Sequence, residues 1–177
     1  MTNNDYNVEI LEGERCPFCL KKTLTLRQAQ RDIPYFGSVT LFSMDCQNDD
    51  CGYSVSDLES DEDKGKVKCQ FTIDSEDDLK VRVVKSSTAK ITIPRITTIE
   101  PGENSSGYVT NIEGILSRVK KQLENVRDNS DDNDEKKKAK NLIKKITRIM
   151  WGQDSITITL EDPKGNSGII SEKTVFK

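Results

Sequence analysis

Five cysteines are the residues of this sequence best suited to chemistry, and four of them form two close pairs. Cys16 and Cys19 form a C-x2-C pair, and Cys46 and Cys51 form a C-x4-C pair. Two short cysteine turns on facing hairpins can direct four thiolates at one tetrahedral ion, and this spacing is typical of a zinc ribbon. We therefore predict a structural Zn²⁺ site with four sulfur ligands and no coordination position left open for water or substrate.

Two disulfides, or free cysteines in a core, are the alternatives to a metal site. An intracellular setting disfavours disulfides, and clustered cysteines are unlike the usual placement of a buried thiol. The C-x4-C turn is longer than a common C-x2-C knuckle, so we expect it to bulge. Gly52 follows Cys51, as suits a tight turn with positive φ, whereas Leu20 stands at the corresponding position after Cys19. The fifth cysteine, Cys69, lies in an alternating strand pattern and is predicted to be a core residue.

Composition excludes several classes of function. The chain has no histidine, so it lacks the usual general acid/base near neutral pH and cannot form a Ser-His-Asp or Cys-His site. With no glycine-rich phosphate loop either, we expect a protein that is not an enzyme. The net charge of −3 argues against a protein that coats DNA. No apolar run approaches the roughly 18 residues of a membrane span, and the N-terminus lacks a secretory pattern, so we expect a soluble cytoplasmic protein.

The elements that must position the cysteines lie in residues 1–57, which we predict to be the zinc ribbon. Segments 24–26 and 39–44 have the composition of strands, and so small a core is expected to unfold without its metal. Ile33, Tyr35 and Phe36 form an apolar run that such a module cannot bury, so it packs against the next domain or docks a partner. Residues 58–66 contain four acidic residues and a single large apolar one, and they are predicted to be an acidic linker or loop.

Residues 67–177 are predicted to form a mostly β domain with an inserted helical hairpin. Candidate strands are 67–74, 79–86, 88–93, 95–100, 156–160 and 168–176, where β-branched residues dominate. Residues 110–151 have two helical apolar faces, with Thr110 as the expected N-cap and Glu113 completing a capping box. The second helix is rich in lysine, which indicates a solvated face or a contact with an acidic protein surface or RNA.

The order of several motifs resembles the Zpr-one zinc-finger family of eukaryotes and archaea. These motifs are CPFC at 16–19, IPYFGSV at 33–39, CGY at 51–53, DLKVRVVKS at 78–86, IP at 93–94, EPG at 100–102, GYVTNIEGIL at 107–116 and LEDPKGNS at 160–167. The family pattern has C-x2-C at the second knuckle, where this chain has C-x4-C. Eukaryotic members carry two such modules, whereas this chain has one and is similar to the archaeal form.

The resemblance implies a fold and a partner. The implied fold is a zinc ribbon followed by a double-stranded β-helix domain with a helical hairpin. Eukaryotic members bind translation elongation factor 1-alpha and assist its folding, so the leading expectation is a zinc-binding partner or folding factor of that protein. The alternative is a nucleic-acid-associated zinc ribbon of the transcription or translation machinery. Candidate partner contacts are Ile33, Tyr35, Phe36, Asp162, Gly165, Asn166 and Ser167, although Asp162 and Asn166 are also common turn formers.

Overall fold

The computed structural model describes residues 8–33, 37–59, 64–102 and 105–177, and its first four strands form one antiparallel sheet in the order β1-β2-β3-β4. Both cysteine pairs lie at the same end of this sheet, at the β1–β2 and β3–β4 connections. The sheet therefore positions all four thiols. Its strands are β1 (Val8–Arg15), β2 (Lys22–Ile33), β3 (Gly37–Cys46) and β4 (Ser54–Glu59).

Two further sheets build the second domain, with strand orders β12-β5-β10-β7-β8 and β11-β6-β9. Apolar side chains from both sheets meet in one core, which is the double-stranded β-helix arrangement that we expected. The predicted strand 79–86 is shorter than expected, because a 3₁₀ turn at Asp77–Lys80 occupies its first two residues and precedes β6. The strands are β5 (Val67–Ile73), β6 (Arg82–Lys85), β7 (Lys90–Ile93), β8 (Thr97–Ile99), β9 (Tyr108–Asn111), β10 (Ile156–Asp162), β11 (Gly168–Ile170) and β12 (Val175–Phe176).

The inserted hairpin consists of α1 (Ile112–Asn129) and α2 (Asn133–Met150). The prediction of Thr110 as N-cap is wrong by one residue, because the strand β9 continues to Asn111 and the helix begins only at Ile112. The cap is Asn111, whose side-chain oxygen accepts a hydrogen bond from the backbone N–H of Gly114 at 2.7 Å. Neither helix in the described part of the chain is long and apolar enough to cross a membrane.

The main core lies between the two sheets and the hairpin. Phe71 and Leu160 of the strands and Ile115 and Ile146 of the helices are at most 1% exposed and belong to one cluster. Cys69 is fully buried in the same cluster, which confirms its predicted core role. Because inward side chains fill this interior, the domain is held by apolar burial.

The first sheet packs on the second domain through a smaller cluster, in which Val39 and Leu58 contact Val84. Leu58 is 3% exposed and belongs to β4, so β4 extends into the segment 58–66 that we predicted to be a linker. The acidic composition concealed this strand end, where a single leucine is buried against the neighbouring domain. Gly107 packs directly against the backbone of Leu58, since a Cβ at position 107 would stand 2.8 Å from the carbonyl oxygen of Leu58.

Candidate metal centre

The four paired cysteines converge on one point, with their sulfur atoms all within 4.8 Å of one another. The Sγ atoms of Cys16 and Cys51 are 3.8 Å apart, and those of Cys19 and Cys46 are 3.7 Å apart. A tetrahedral site with Zn–S bonds of about 2.3 Å requires S–S separations of about 3.8 Å. A disulfide would need about 2.05 Å, so the disulfide alternative is excluded for these cysteines.

The first knuckle is a tight turn closed by backbone hydrogen bonds. The N–H of Leu20 donates to the carbonyl of Cys16, and the N–H of Cys16 donates to the carbonyl of Lys21, both at 2.9 Å. Leu20 has φ of 62°, the conformation that a glycine usually supplies. The chain thus keeps the knuckle geometry with a leucine in a left-handed conformation.

The second knuckle accommodates its two extra residues in a β-turn. The N–H of Cys51 donates to the carbonyl of Asn48 at 2.8 Å, and the turn spans the two intervening aspartates. Gly52 then adopts φ of 62°, as predicted for the residue after Cys51. The insertion therefore lengthens the turn while the Cys51 sulfur still reaches Cys16.

Hydrogen bonds around the sulfur atoms favour thiolate at two of the four positions. The backbone N–H of Lys21 lowers the pKa of Cys19 to about 6. The Thr23 hydroxyl lies 3.2 Å from the sulfur of Cys46 and lowers the pKa of that thiol. Burial raises the pKa of Cys51 to about 12, so this thiol needs a bound cation to ionise. Four crowded thiols with supporting donors fit a soft divalent ion such as Zn²⁺.

The four cysteines paired in the sequence do lie together, but the contact of Thr23 with Cys46 was not predicted. A threonine in a strand carries no sign that its hydroxyl will face a sulfur atom on the neighbouring strand. The contact follows from the pairing of β2 with β3, which brings Leu24 opposite Cys46. Strand register is therefore the information that sequence reasoning lacked.

The predicted partner contacts are divided between two places. Tyr35 and Phe36 lie outside the described residues, and Ile33 is the last residue of β2. Asp162 ends β10, and Gly165, Asn166 and Ser167 lie in the turn that follows, far from the cysteines in sequence. All four residues are buried. Asp162 is fully buried, and its carboxylate accepts hydrogen bonds from the hydroxyls of Ser86, Thr88 and Ser167 and the backbone N–H groups of Lys164 and Asn166. This turn is thus an internal connection between two loops of the β domain.

Comparison with known proteins adds two family models that follow the two domains. The ZPR1 zinc-finger domain matches residues 7–63, and the ZPR1 jelly-roll domain matches residues 77–175. The second match alone covers more than half of the chain. The chain belongs to the ZPR1 family. The first sheet with its four cysteines is therefore the zinc-finger domain, and the β domain with its helical hairpin is the ZPR1 jelly-roll domain.

Individual relatives agree with this assignment. An uncharacterised ZPR1-like protein of Methanocaldococcus jannaschii is 39% identical over 94% of this chain and 82% of its own length. A protein of Schizosaccharomyces pombe named zinc finger chaperone zpr1 is 35% identical over 77% of this chain. The zinc finger protein ZPR1 of Drosophila melanogaster is 30% identical over 94% of it. The chain corresponds to 30% and 37% of those two eukaryotic proteins, so it matches one portion of each.

Proposed function

We propose that this ZPR1-family chain binds Zn²⁺ through Cys16, Cys19, Cys46 and Cys51 and acts as a binding partner or folding factor of translation elongation factor 1-alpha. It acts by binding and not by catalysis. The observation that carries the proposal is the closed cluster of four thiols in a domain that matches the ZPR1 zinc finger.

The donor set supports a structural metal role. Four protein sulfur atoms complete a tetrahedron by themselves, so a bound ion has no position left for a substrate or an activated water molecule. The interior of the jelly-roll domain is filled by large apolar side chains such as Phe71, Ile91 and Leu160. A fold of this kind has an activity only where particular residues form a site. Here the inward-facing side chains fill the space that a substrate would need.

The family supports the partner. The relative from Schizosaccharomyces pombe carries the word chaperone in its name. The sequence resemblance to the eukaryotic members points to elongation factor 1-alpha as the client. The basic outer surface of α2, with exposed Lys137, Lys140 and Lys144, supplies positive charge that suits an acidic protein surface.

Affinity capture of the tagged full chain from a lysate of the source organism tests the proposal, with and without guanine nucleotide. We expect mass spectrometry to find elongation factor 1-alpha as the main enriched protein. The Cys19→Ser variant should lose this enrichment, because it lacks one metal ligand. Val175→Ser, a change at an exposed position of the jelly-roll domain, should retain it.

Recovery of ribosomes or RNA without the elongation factor would instead support the nucleic-acid alternative. Binding to RNA would weaken steeply with added salt, because each phosphate contact releases counterions. Capture that is identical for Cys19→Ser and the unchanged chain would contradict a role for the zinc finger in client binding.

A further inference from the structure

The four-stranded sheet of the zinc-finger domain has two faces, and one of them packs on the jelly-roll domain. Leu41 and Leu58 lie on that inner face, where they contact the cluster around Val84. Directly opposed residues of antiparallel strands share a face, and residues two apart along a strand also share one. The strand register therefore assigns the residues of the other face, which we call the outer face.

The outer face carries a band of apolar side chains. Leu11, Leu26, Met44 and Val55 are paired in one row across all four strands. Phe42 lies on the same face beside Met44. Leu11 is 61% exposed and the other four are half-buried, so no part of the chain that the structure describes covers them fully. A depression of about 330 Å³ opens on this face beside Leu11, Leu26, Phe42 and Met44.

Acidic side chains lie at both edges of the outer face. Glu9 is exposed on the edge strand β1, and Glu59 is exposed at the end of the opposite edge strand β4, and both line the depression. Arg27 borders the depression, but the strand register places its side chain on the inner face, where it forms an ion pair of 2.7 Å with Asp45. An apolar band between two carboxylate edges is complementary to an apolar surface with cations on both sides.

The dimensions of the outer face select the shape of that partner. Three inter-strand spacings of about 4.8 Å separate β1 from β4, so the acidic edges stand about 14 Å apart. A helix is about 10–12 Å in diameter, and lysine or arginine at the sides of its apolar stripe can extend outward to the carboxylates. A single extended strand would be too narrow to contact both edges at once.

We propose that the outer face of the zinc-finger domain binds an amphipathic helix of a partner protein whose apolar stripe is flanked by lysine or arginine. This inference rests on the proposed function in one respect, which is that the chain acts on another protein. It assigns the surface and the chemistry of the contact, and the contact follows the helix-in-groove mode of recognition.

A second copy of this chain fits the outer face poorly. Its basic helix α2 has the required charges, but the apolar side chains Ile146 and Ile149 of that helix are fully buried in its own core. Pairing of β1 with β1 of another copy would bring together strands that each contain Glu9, Glu12 and Glu14. Like charges on facing strands disfavour that pairing.

Fluorescence anisotropy with labelled synthetic peptides tests the proposal on the zinc-loaded full chain. The probe is a helical peptide of about 18 residues with a leucine stripe flanked by lysines, which is about 27 Å long. The matched peptides carry glutamate in place of lysine, or the same composition in scrambled order. We expect the lysine peptide to bind at least about tenfold more tightly than either, with affinity that falls between ~50 and ~300 mM salt.

Variants of the outer face then locate the contact. Leu11→Ser should weaken binding of the lysine peptide by about tenfold, whereas Val175→Ser, at a similarly exposed valine of the jelly-roll domain, should not change it. The double variant Glu9→Lys with Glu59→Lys should reverse the preference in favour of the glutamate peptide. The double variant Glu113→Lys with Glu172→Lys has the same net charge and should keep the original preference.

Three outcomes would overturn the inference. Equal binding of lysine, glutamate and scrambled peptides would remove the charge complementarity. Tighter binding of an extended, strand-forming lysine peptide would indicate strand addition at β1. A dimer in analytical ultracentrifugation that Leu11→Ser dissociates would make a second copy the occupant. Capture of the elongation factor is a separate readout, so a failure here leaves the proposed function intact, and the reverse also holds.

Discussion

Removal of zinc is expected to unfold the zinc-finger domain and to leave the jelly-roll domain folded. The large apolar side chains buried in the described part of the zinc-finger domain are Leu24, Val39 and Leu58. At about 1.5–3 kcal/mol each they contribute about 5–9 kcal/mol, and Val39 and Leu58 gain theirs by packing on the other domain. Structural zinc contributes about 10–16 kcal/mol in small domains, which makes the metal the largest single term.

Hydrogen exchange measured by mass spectrometry, before and after chelation under reducing conditions, follows the two domains separately. After chelation, the amides of β2 and β3 should exchange about as fast as those of an unfolded chain. The amides of β5 and β10 should stay protected, because their side chains lie in a core that contains no metal ligand. The jelly-roll domain thus serves as the internal control.

Cysteine variants separate metal loss from general damage. Cys46→Ser should reproduce the exchange pattern of the chelated protein even when zinc is present. Cys69→Ala alters a buried thiol that is not one of the four converging cysteines, so this variant should still bind one zinc ion per chain. Unchanged protection of β2 and β3 after complete zinc removal would refute the reasoning, since apolar burial alone would then hold the domain.

Three further perturbations have defined outcomes. Asp162→Asn should lower the free energy of unfolding in urea by about 3 kcal/mol, because the amide turns one acceptor of a buried, fully bonded carboxylate into a donor. Burial alone would raise the pKa of Asp78, but hydrogen bonds from the Asp74 N–H, Lys173 and Ser75 outweigh it and lower that pKa. The ionised carboxylate of Asp78 therefore stabilises the fold fully above about pH 4, and this stabilisation is lost on further acidification. In thermal scans at a series of pH values, the melting temperature of Asp78→Asn should fall less steeply with acidification than that of the unchanged chain. Gly107→Ala should loosen the contact between the domains by about 1–3 kcal/mol, visible as faster amide exchange in β4.

The four clustered cysteines and the helical hairpin could be predicted because local patterns determine them. Cysteine spacing places Cys16 beside Cys19 whatever the surrounding fold, and the apolar repeat of Ile112, Ile115 and Val119 specifies one face of a helix. The helix start was displaced by one residue because Asn111, a stronger N-cap type than threonine, follows Thr110 and its side chain accepts the hydrogen bond from Gly114.

The strands of the zinc-finger domain were harder to predict. All eight residues of β1 are exposed, so the strand shows no buried alternation, and its existence depends on pairing with β2. The second half of β2, from Arg27 to Asp32, is rich in polar residues. It is extended because it pairs with β3 throughout and with β1 as far as Ala29. Such non-local pairing leaves little trace in sequence periodicity, which also explains why the outer face was not foreseen.

The two knuckles offer a matched test of backbone strain, because Leu20 and Gly52 occupy equivalent positions with φ of 62°. A left-handed conformation costs a residue with a Cβ about 1–2 kcal/mol, and the side chain of Leu20 is 59% exposed, so it supplies little packing in return. Leu20→Gly removes that strain, but the greater conformational entropy of the unfolded chain lowers the free energy of unfolding by about 0.4–1 kcal/mol. The net result should lie between no change and a gain of about 1.5 kcal/mol.

Zinc affinity measures this balance, because metal binding and folding of the domain are coupled. In competition with a chelator, Leu20→Gly should bind zinc up to about tenfold more tightly. Gly52→Ala should bind zinc at least about fivefold more weakly. Phe18→Gly is the control, since Phe18 is 75% exposed in the same knuckle and its φ is not positive. That variant incurs the entropy cost without strain relief and should weaken binding. Weaker binding by Leu20→Gly as well would mean that the leucine side chain contributes more to the folded knuckle than its backbone strain costs.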